Sequence, residues 1–156
     1  MQREQQKKEL DGSNYKIGIA RARFNEDITG GLIEGCYKAL EECKIKKENI
    51  DLLEVPGSFE LPIGAKRLAE KKYDAIICLG AIIKGETNHD EYIASAVSHG
   101  ITDVALEYNL PVLFGVITAL NLEQAKARSA DDEQNRGYAA AIGAIELLES
   151  FKKTVT

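Results

Sequence analysis

The feature that most constrains this chain is an alternation of short, almost wholly apolar segments with longer segments whose apolar residues recur at helical spacing. The apolar segments, which we interpret as strands, are Tyr15–Ala20, Ile50–Val55, Ala75–Leu79 and Pro111–Thr118, and the first and third of them read as buried. The predicted helices are Ile28–Cys43, Ser58–Lys72, Asp90–Tyr108, Leu122–Ser129 and Asn135–Phe151. Strands that are apolar on both faces and alternate with helices indicate an α/β fold, with a four-stranded parallel sheet between two helical layers.

Length and composition indicate one soluble domain. The chain has 156 residues, of which 44% are hydrophobic and 29% charged, and residues 15–156 suit a single core. Its apolar runs are shorter than a membrane span, and its polar N-terminus has no signal-peptide pattern. A net charge of −5 does not favour nucleic-acid binding. We therefore expect a cytoplasmic protein without membrane or nucleic-acid partners, with residues 1–14 as a flexible arm.

The cysteines point to packing rather than chemistry. Cys36 and Cys43 lie within a predicted helix and Cys78 within a predicted strand, and no spacing of Cys or His is typical of a zinc site. We predict three buried, reduced thiols and no metal.

Three segments should meet at one edge of the sheet. Right-handed crossovers place every strand-to-helix connection at the carboxyl ends of parallel strands, and ligands bind there near a switch in strand order. The segments Arg21–Asn25, Pro56–Glu60 and Gly80–His89 should therefore converge on a pocket.

Within these segments His89 is the most informative residue. An imidazole moves protons near neutral pH, although a histidine at a helix start can equally be a simple surface residue. Gly85-Glu86-Thr87 precede the same helix and could form an anion site. The acidic Asp90 and Glu91 would weaken that site, or simply complement the helix dipole.

Several other residues have two interpretations each. Phe24 and Phe59 could flank a planar heterocycle or pack in the core. Ser58 stands where a helix N-cap would, and Glu60 could favour the helix N-terminus. Arg21 and Arg128 could grip a phosphate, but each alone is more simply a solvated charge.

Taken together, five stretches closely resemble the 6,7-dimethyl-8-ribityllumazine synthase family of riboflavin biosynthesis. They are Arg23-Phe24-Asn25, residues 55–62, residues 80–89, residues 114–118 and Asn135-Arg136-Gly137, in the family's order over about 15–151. The resemblance implies a flavodoxin-like three-layer subunit. It also implies condensation of 5-amino-6-ribitylaminouracil with 3,4-dihydroxy-2-butanone 4-phosphate, with release of water and phosphate and without metal or organic cofactor.

The resemblance also implies site residues and assembly. The aminopyrimidine would contact Phe24, Ser58, Phe59, Glu60, Ala81, Ile82, Ile83 and Phe114. The butanone phosphate would contact Glu86, Thr87 and Arg128, with Arg136 as a further candidate. His89 would transfer protons, and His89 and Arg128 would be the catalytic residues. Phe114 and Arg128 are expected from a neighbouring subunit of a homopentamer, or of a 60-mer of twelve pentamers. The N-terminal arm could add a strand to a neighbour's sheet, and riboflavin synthase is a candidate partner.

Some positions depart from the family pattern. Asp90 replaces a usual aromatic residue, and it could either raise the pKa of His89 or cap the helix. Arg136 replaces a usual lysine, and the turn Asp131–Gln134 lacks the usual glycine and lysine. Two other functions stay open: an archaeal-type riboflavin synthase, and a non-catalytic flavin- or lumazine-binding shell protein. A flavodoxin-like electron carrier fits less well, because strand one is not followed by a phosphate loop rich in Ser, Thr and Gly.

Overall fold

The computed structural model describes residues 10–154. Its sheet has four parallel strands in the order β2-β1-β3-β4. The strands are β1 (Ile17–Ala22), β2 (Ile50–Val55), β3 (Ala75–Ile83) and β4 (Val112–Ala119). The parallel four-stranded sheet predicted from the apolar segments is thus confirmed.

Helices cover both faces of this sheet. They are α1 (Glu26–Glu42), α2 (Leu61–Ala69), α3 (His89–Tyr108), α4 (Leu122–Ala127) and α5 (Arg136–Thr154), with 3-10 helices at Lys47–Asn49 and Ser58–Glu60. Successive strand residues face opposite layers. Ile17 and Ile19 of β1 accordingly pack with α1 and α5, whereas Ala20 packs with α2 and α3. The flavodoxin-like three-layer arrangement is confirmed.

Strands β1 and β3 extend further toward the carboxyl edge than predicted. The expected end of β3 at Leu79 is wrong, because β3 pairs with β4 as far as Ile83 and Ala119. Gly80 is a strand residue: a Cβ there would lie 2.6 Å from Ser58 Oγ, so the glycine admits a close neighbour and does not mark a turn. The expected Arg21–Asp27 loop shrinks to three residues, since β1 runs to Ala22 and α1 begins at Glu26.

The prediction that Ser58 caps the second helix is wrong. Residues Ser58–Glu60 form a 3-10 helix and α2 begins only at Leu61, with Glu60 at its N-cap position and Pro62 in its first turn. Ser58 is buried, and its hydroxyl points toward the carbonyl oxygen of Ala81 at 3.5 Å. The side chain therefore links the 3-10 helix to β3 at the carboxyl edge of the sheet.

The chain before β1 packs on the domain where it is described. Gly12 N–H donates to the Cys43 carbonyl oxygen at 2.7 Å, and Leu10 packs against the core. The remainder of the predicted arm, residues 1–9, lies outside the described residues. As predicted, Cys36, Cys43 and Cys78 are buried, reduced thiols. Burial raises the pKa of Cys36 and raises that of Cys78 to about 12, which keeps both thiols protonated and poorly nucleophilic.

Candidate active site at the carboxyl edge of the sheet

A cavity of about 370 Å³ opens where the segments after β1, β2 and β3 meet; we call it the edge cavity. It is lined by Phe24, Asn25, Gly57, Ser58, Phe59, Glu60, Ala81, Ile82, Ile83, Gly85, Thr87, His89, Asp90 and Ile93. The predicted convergence of the three segments is confirmed. The edge cavity lies beside β1 and β3, where the strand order reverses, which is the usual ligand position in open parallel sheets.

Two phenyl rings stand in the wall of the edge cavity. Phe24 is 69% exposed and Phe59 is 64% exposed, so the alternative that they pack in the core is wrong. Neither ring contributes much to folding while it stands in water, and exposed aromatic faces at a cavity suit a planar ligand.

The end of β3 presents main-chain groups to the same space. Pairing with β1 stops at Leu79, so β3 has no strand partner on that side beyond this residue within the described chain. The Ala81 carbonyl oxygen instead lies 3.4 Å from Asn25 Nδ2 and 3.5 Å from Ser58 Oγ, both long for hydrogen bonds. Ile83 has the same orientation as Ala81, because main-chain groups alternate sides along a strand. Backbone donors and acceptors thus face the edge cavity.

His89 lies where the sequence predicts a proton-transfer group. It is the first residue of α3, it is exposed to the edge cavity, and its main-chain N–H donates to Thr87 Oγ1 at 3.3 Å. His99 lies further along the same helix, where its Nδ1 is 2.7 Å from the Ser95 carbonyl oxygen, and it is not among the lining residues.

Asp90 is the main departure at this site, and it does not cap the helix. Asn88 occupies the N-cap position of α3. Asp90 Oδ1 is buried and has no hydrogen-bond partner in the part of the chain that the structure describes. An unpaired buried carboxylate oxygen is costly, and such groups recur at functional sites.

Four of the residues assigned by resemblance lie outside the edge cavity of their own chain. Phe114, on β4, is 43% exposed, and Arg136 is the exposed first residue of α5. Arg128 follows α4, where its Nη1 donates to the Thr118 carbonyl oxygen at 3.1 Å. Glu86 is exposed on the loop that carries Thr87. A single chain therefore brings together the aromatic and histidine part of the predicted site, without its arginine.

Arg21 supports the edge cavity and does not line it. Its side chain is only 12% exposed and lies 3.6 Å from both Glu26 and Glu54 carboxylates, while its Nε donates to Thr29 Oγ1 at 3.4 Å. The alternative of a solvated surface charge is therefore wrong for this residue. It connects Glu54 of β2 with Glu26 and Thr29 in the first turns of α1, next to the loop that carries Phe24.

Sequence reasoning missed Ile93 in the edge cavity, and it placed Asn25 in a converging segment without assigning it a role. Ile93 lies one helical turn after His89, and this i, i+4 spacing could have identified it. Asn25 adopts a left-handed conformation, with φ of 63°, as the N-cap of α1, and it turns its amide toward Ala81. Its position directly before a helix was the available signal, since asparagine tolerates this conformation.

Residues 10–154 contain no cluster of three or more His, Cys, Asp or Glu side chains that could hold a metal ion. None of their helices combines the length and apolar character needed to cross a bilayer.

Fold and site together define a flavodoxin-like α/β protein whose cavity lies at the switch point of a parallel sheet. A sequence model of 6,7-dimethyl-8-ribityllumazine synthase matches residues 14–152, nearly the whole chain. The chain therefore belongs to the lumazine synthase family. Members of this family act in riboflavin biosynthesis, are generally transferases, take small-molecule substrates and form oligomers.

Proposed function

We propose that this chain condenses 5-amino-6-ribitylaminouracil with 3,4-dihydroxy-2-butanone 4-phosphate to give 6,7-dimethyl-8-ribityllumazine. The observation that carries the proposal is the composition of the edge cavity. Its wall unites nine residues to which the family resemblance assigns a role: Phe24, Ser58, Phe59, Glu60, Ala81, Ile82, Ile83, Thr87 and His89.

The edge cavity suits the aminopyrimidine in three respects. Phe24 and Phe59 offer exposed aromatic faces for a planar ring. Main-chain groups at Ala81 and Ile83 can pair with the polar edge of that ring. Ser58 and Glu60 supply a hydroxyl and a carboxylate for the ribityl hydroxyl groups.

The chemistry needs proton transfer and juxtaposition more than a strong nucleophile. The 5-amino nitrogen attacks the ketone carbon, and water leaves as the imine forms. Phosphate then leaves by elimination, and the ribityl-bearing nitrogen closes the ring with loss of a second water. Holding the two substrates together supplies most of the acceleration. His89 exchanges the protons, because its side chain is exposed to the edge cavity.

We further propose that a neighbouring subunit completes the site. Phe114 and Arg128 lie outside the edge cavity of their own chain, and a guanidinium is well suited to bind the phosphate of the butanone substrate. Glu86 and Thr87 would contact the same substrate, with Arg136 nearby. The proposed assembly is a homopentamer, or a 60-mer of pentamers, in which riboflavin synthase is a candidate partner. The buried reduced thiols support the cytoplasm as its compartment.

The test is an absorbance assay with purified protein and both substrates, with a control lacking the butanone phosphate. We expect lumazine to form with stoichiometric release of phosphate. A folded, oligomeric protein that makes no product would contradict the proposed synthase activity. Consumption of lumazine alone would instead indicate a riboflavin synthase, and tight binding without turnover would indicate a shell protein.

Mixing two impaired variants tests the shared site. Oligomers reassembled from equal amounts of His89→Ala and Arg128→Ala should regain full activity at about one quarter of the sites, because each site draws on two subunits chosen at random. Mixtures no more active than the separate variants would place both residues in one subunit. Native mass spectrometry distinguishes pentamer from 60-mer.

A further inference from the structure

The turn between α4 and α5, residues 128–135, is organised around one buried side chain, and we call it the Asn135 turn. Asn135 is only 2% exposed. Its Nδ2 lies within hydrogen-bond distance of three carbonyl oxygens: Gly31 at 3.0 Å, Ser129 at 3.1 Å and Ala130 at 2.9 Å. Its Oδ1 accepts from the Tyr138 N–H at 3.0 Å. One amide therefore ties the turn to α1 and to the start of α5.

Arg128 stands at the beginning of this turn, directly before Ser129 and Ala130, whose carbonyl groups Asn135 binds. Its own carbonyl oxygen accepts from the Arg136 N–H at 2.8 Å, next to Asn135. Its side chain runs to the carboxyl end of β4, where Nη1 donates to Thr118. The main chain at Arg128 is thus held by the Arg136 N–H at its own carbonyl group and by Asn135 at the next carbonyl group, that of Ser129.

Glycines on α1 bring that helix against the turn. A Cβ at Gly31 would lie 2.3 Å from the Ser129 carbonyl oxygen, and one at Gly35 would lie 2.2 Å from Asn135 Oδ1. The preceding glycine on α1, Gly30, has nothing within 4 Å of its Cβ position. The absence of a side chain thus matters specifically where α1 meets the turn.

We infer that Asn135 is a positioning residue that sets the place of the Arg128 guanidinium, and so the affinity for the phosphate group of the substrate. The inference rests on the proposed function, in which Arg128 binds that phosphate. Asn135 does not line the edge cavity, so it acts through the main chain that carries Arg128. A bidentate guanidinium contact needs accurate placement, and a displacement of about 1 Å is enough to weaken it strongly.

The first variant is Asn135→Asp, which keeps size and shape but points an oxygen at three carbonyl oxygens. We expect the KM for the butanone phosphate to rise about tenfold, while the KM for the aminopyrimidine stays within about twofold. The dissociation constant of inorganic phosphate, measured by phosphorus NMR, should rise by the same factor. A purely structural defect would lower the active fraction and kcat without this selectivity.

The second variant reaches the same turn without touching Asn135. Gly31→Ala must push against the Ser129 carbonyl group, and we expect it to weaken phosphate binding in the same direction as Asn135→Asp. Gly30→Ala is the matched control, because its methyl group meets open space, and we expect unchanged phosphate affinity. If Asn135→Asp fails to fold by circular dichroism, the two glycine variants decide the inference alone.

A double-mutant cycle separates this inference from the proposed function. In an Arg128→Ala background, Asn135→Asp and Gly31→Ala should weaken phosphate binding no further. This inference alone would be overturned if phosphate affinity depends on Arg128 but is unchanged in both Asn135→Asp and Gly31→Ala. It would also be overturned if these variants weaken phosphate binding equally with and without Arg128. Phosphate affinity that does not depend on Arg128 would overturn its proposed role and this inference together.

Discussion

The edge cavity and the Asn135 turn are built in opposite ways. In the edge cavity two phenyl rings stand mostly in water, β3 extends beyond the end of its pairing with β1, and a carboxylate oxygen of Asp90 is buried without a hydrogen bond in the described chain. In the Asn135 turn a single amide contacts four main-chain groups, and glycines let α1 close against them. The first region leaves groups for a ligand to engage, whereas the second holds one charged residue in place. Substitutions in the two regions should therefore change different kinetic parameters.

The largest effect should come from His89→Ala in the edge cavity. Loss of a proton-transfer group should lower kcat by roughly 10²–10⁴-fold, but substrate juxtaposition should preserve measurable turnover. His99→Ala, on the same helix and outside the edge cavity, is the matched control and should retain wild-type kcat. Complete loss of turnover in well-folded His89→Ala would contradict this division between proton transfer and juxtaposition.

Arg128→Ala should have the next largest effect, and a different one. Removing a charged hydrogen-bonding group should raise the KM for the butanone phosphate by about 10–100-fold, with a much smaller change in the KM for the aminopyrimidine. Arg67→Ala, which removes an exposed arginine on α2, serves as the control. Equal changes in both KM values would show that the two regions do not divide the substrates between them.

Phe24→Ala tests the aromatic wall of the edge cavity. We expect the KM for the aminopyrimidine to rise about tenfold through the lost stacking, with the phosphate affinity unchanged. The melting temperature should barely move, because the ring is 69% exposed before any ligand binds. A melting temperature lowered by several degrees would mean that the ring packs in the assembled protein and that its role is structural.

Arg136→Ala should give the smallest change. Its side chain is exposed, and its contact with the Asn135 turn is made by its main-chain N–H, which donates to the Arg128 carbonyl oxygen and which alanine keeps. We expect the KM for the butanone phosphate to stay within about threefold of wild type, as for an exposed charge. A tenfold rise would show instead that this side chain binds phosphate directly.

The fold was largely predictable because local apolar patterning encodes it. Strands buried on both faces are unmistakable in segments such as Ala75–Leu79, and parallel strands bring their loops to one edge. The errors arose where tertiary contacts override a local signal. Gly80 resembles a strand break, but it lies within β3 and leaves room for Ser58. Ser58 resembles a helix cap, but it lies in a 3-10 helix and its hydroxyl points to Ala81 of β3.

The two halves of the site were not equally visible in the sequence. Phe24, Phe59 and His89 lie in the segments that lead from β1, β2 and β3 into the next helix, so topology alone brings them together. Asn135 contacts Gly31, 104 positions away, and no periodic pattern reports such a pair. Arg128 and Phe114 are tied to the site by the family resemblance, since their own chain does not bring them into the edge cavity.

The overhang of β3 past β1 has a consequence for how such a site diverges among related chains. Peptide groups at Ala81 and Ile83 are the same whatever side chain they carry. A ligand that pairs with them is recognised by strand geometry, so substitutions at these positions can accumulate while recognition persists. Residue identity at Ala81 and Ile83 is then a poor guide to ligand preference, and the length of the overhang is the better one.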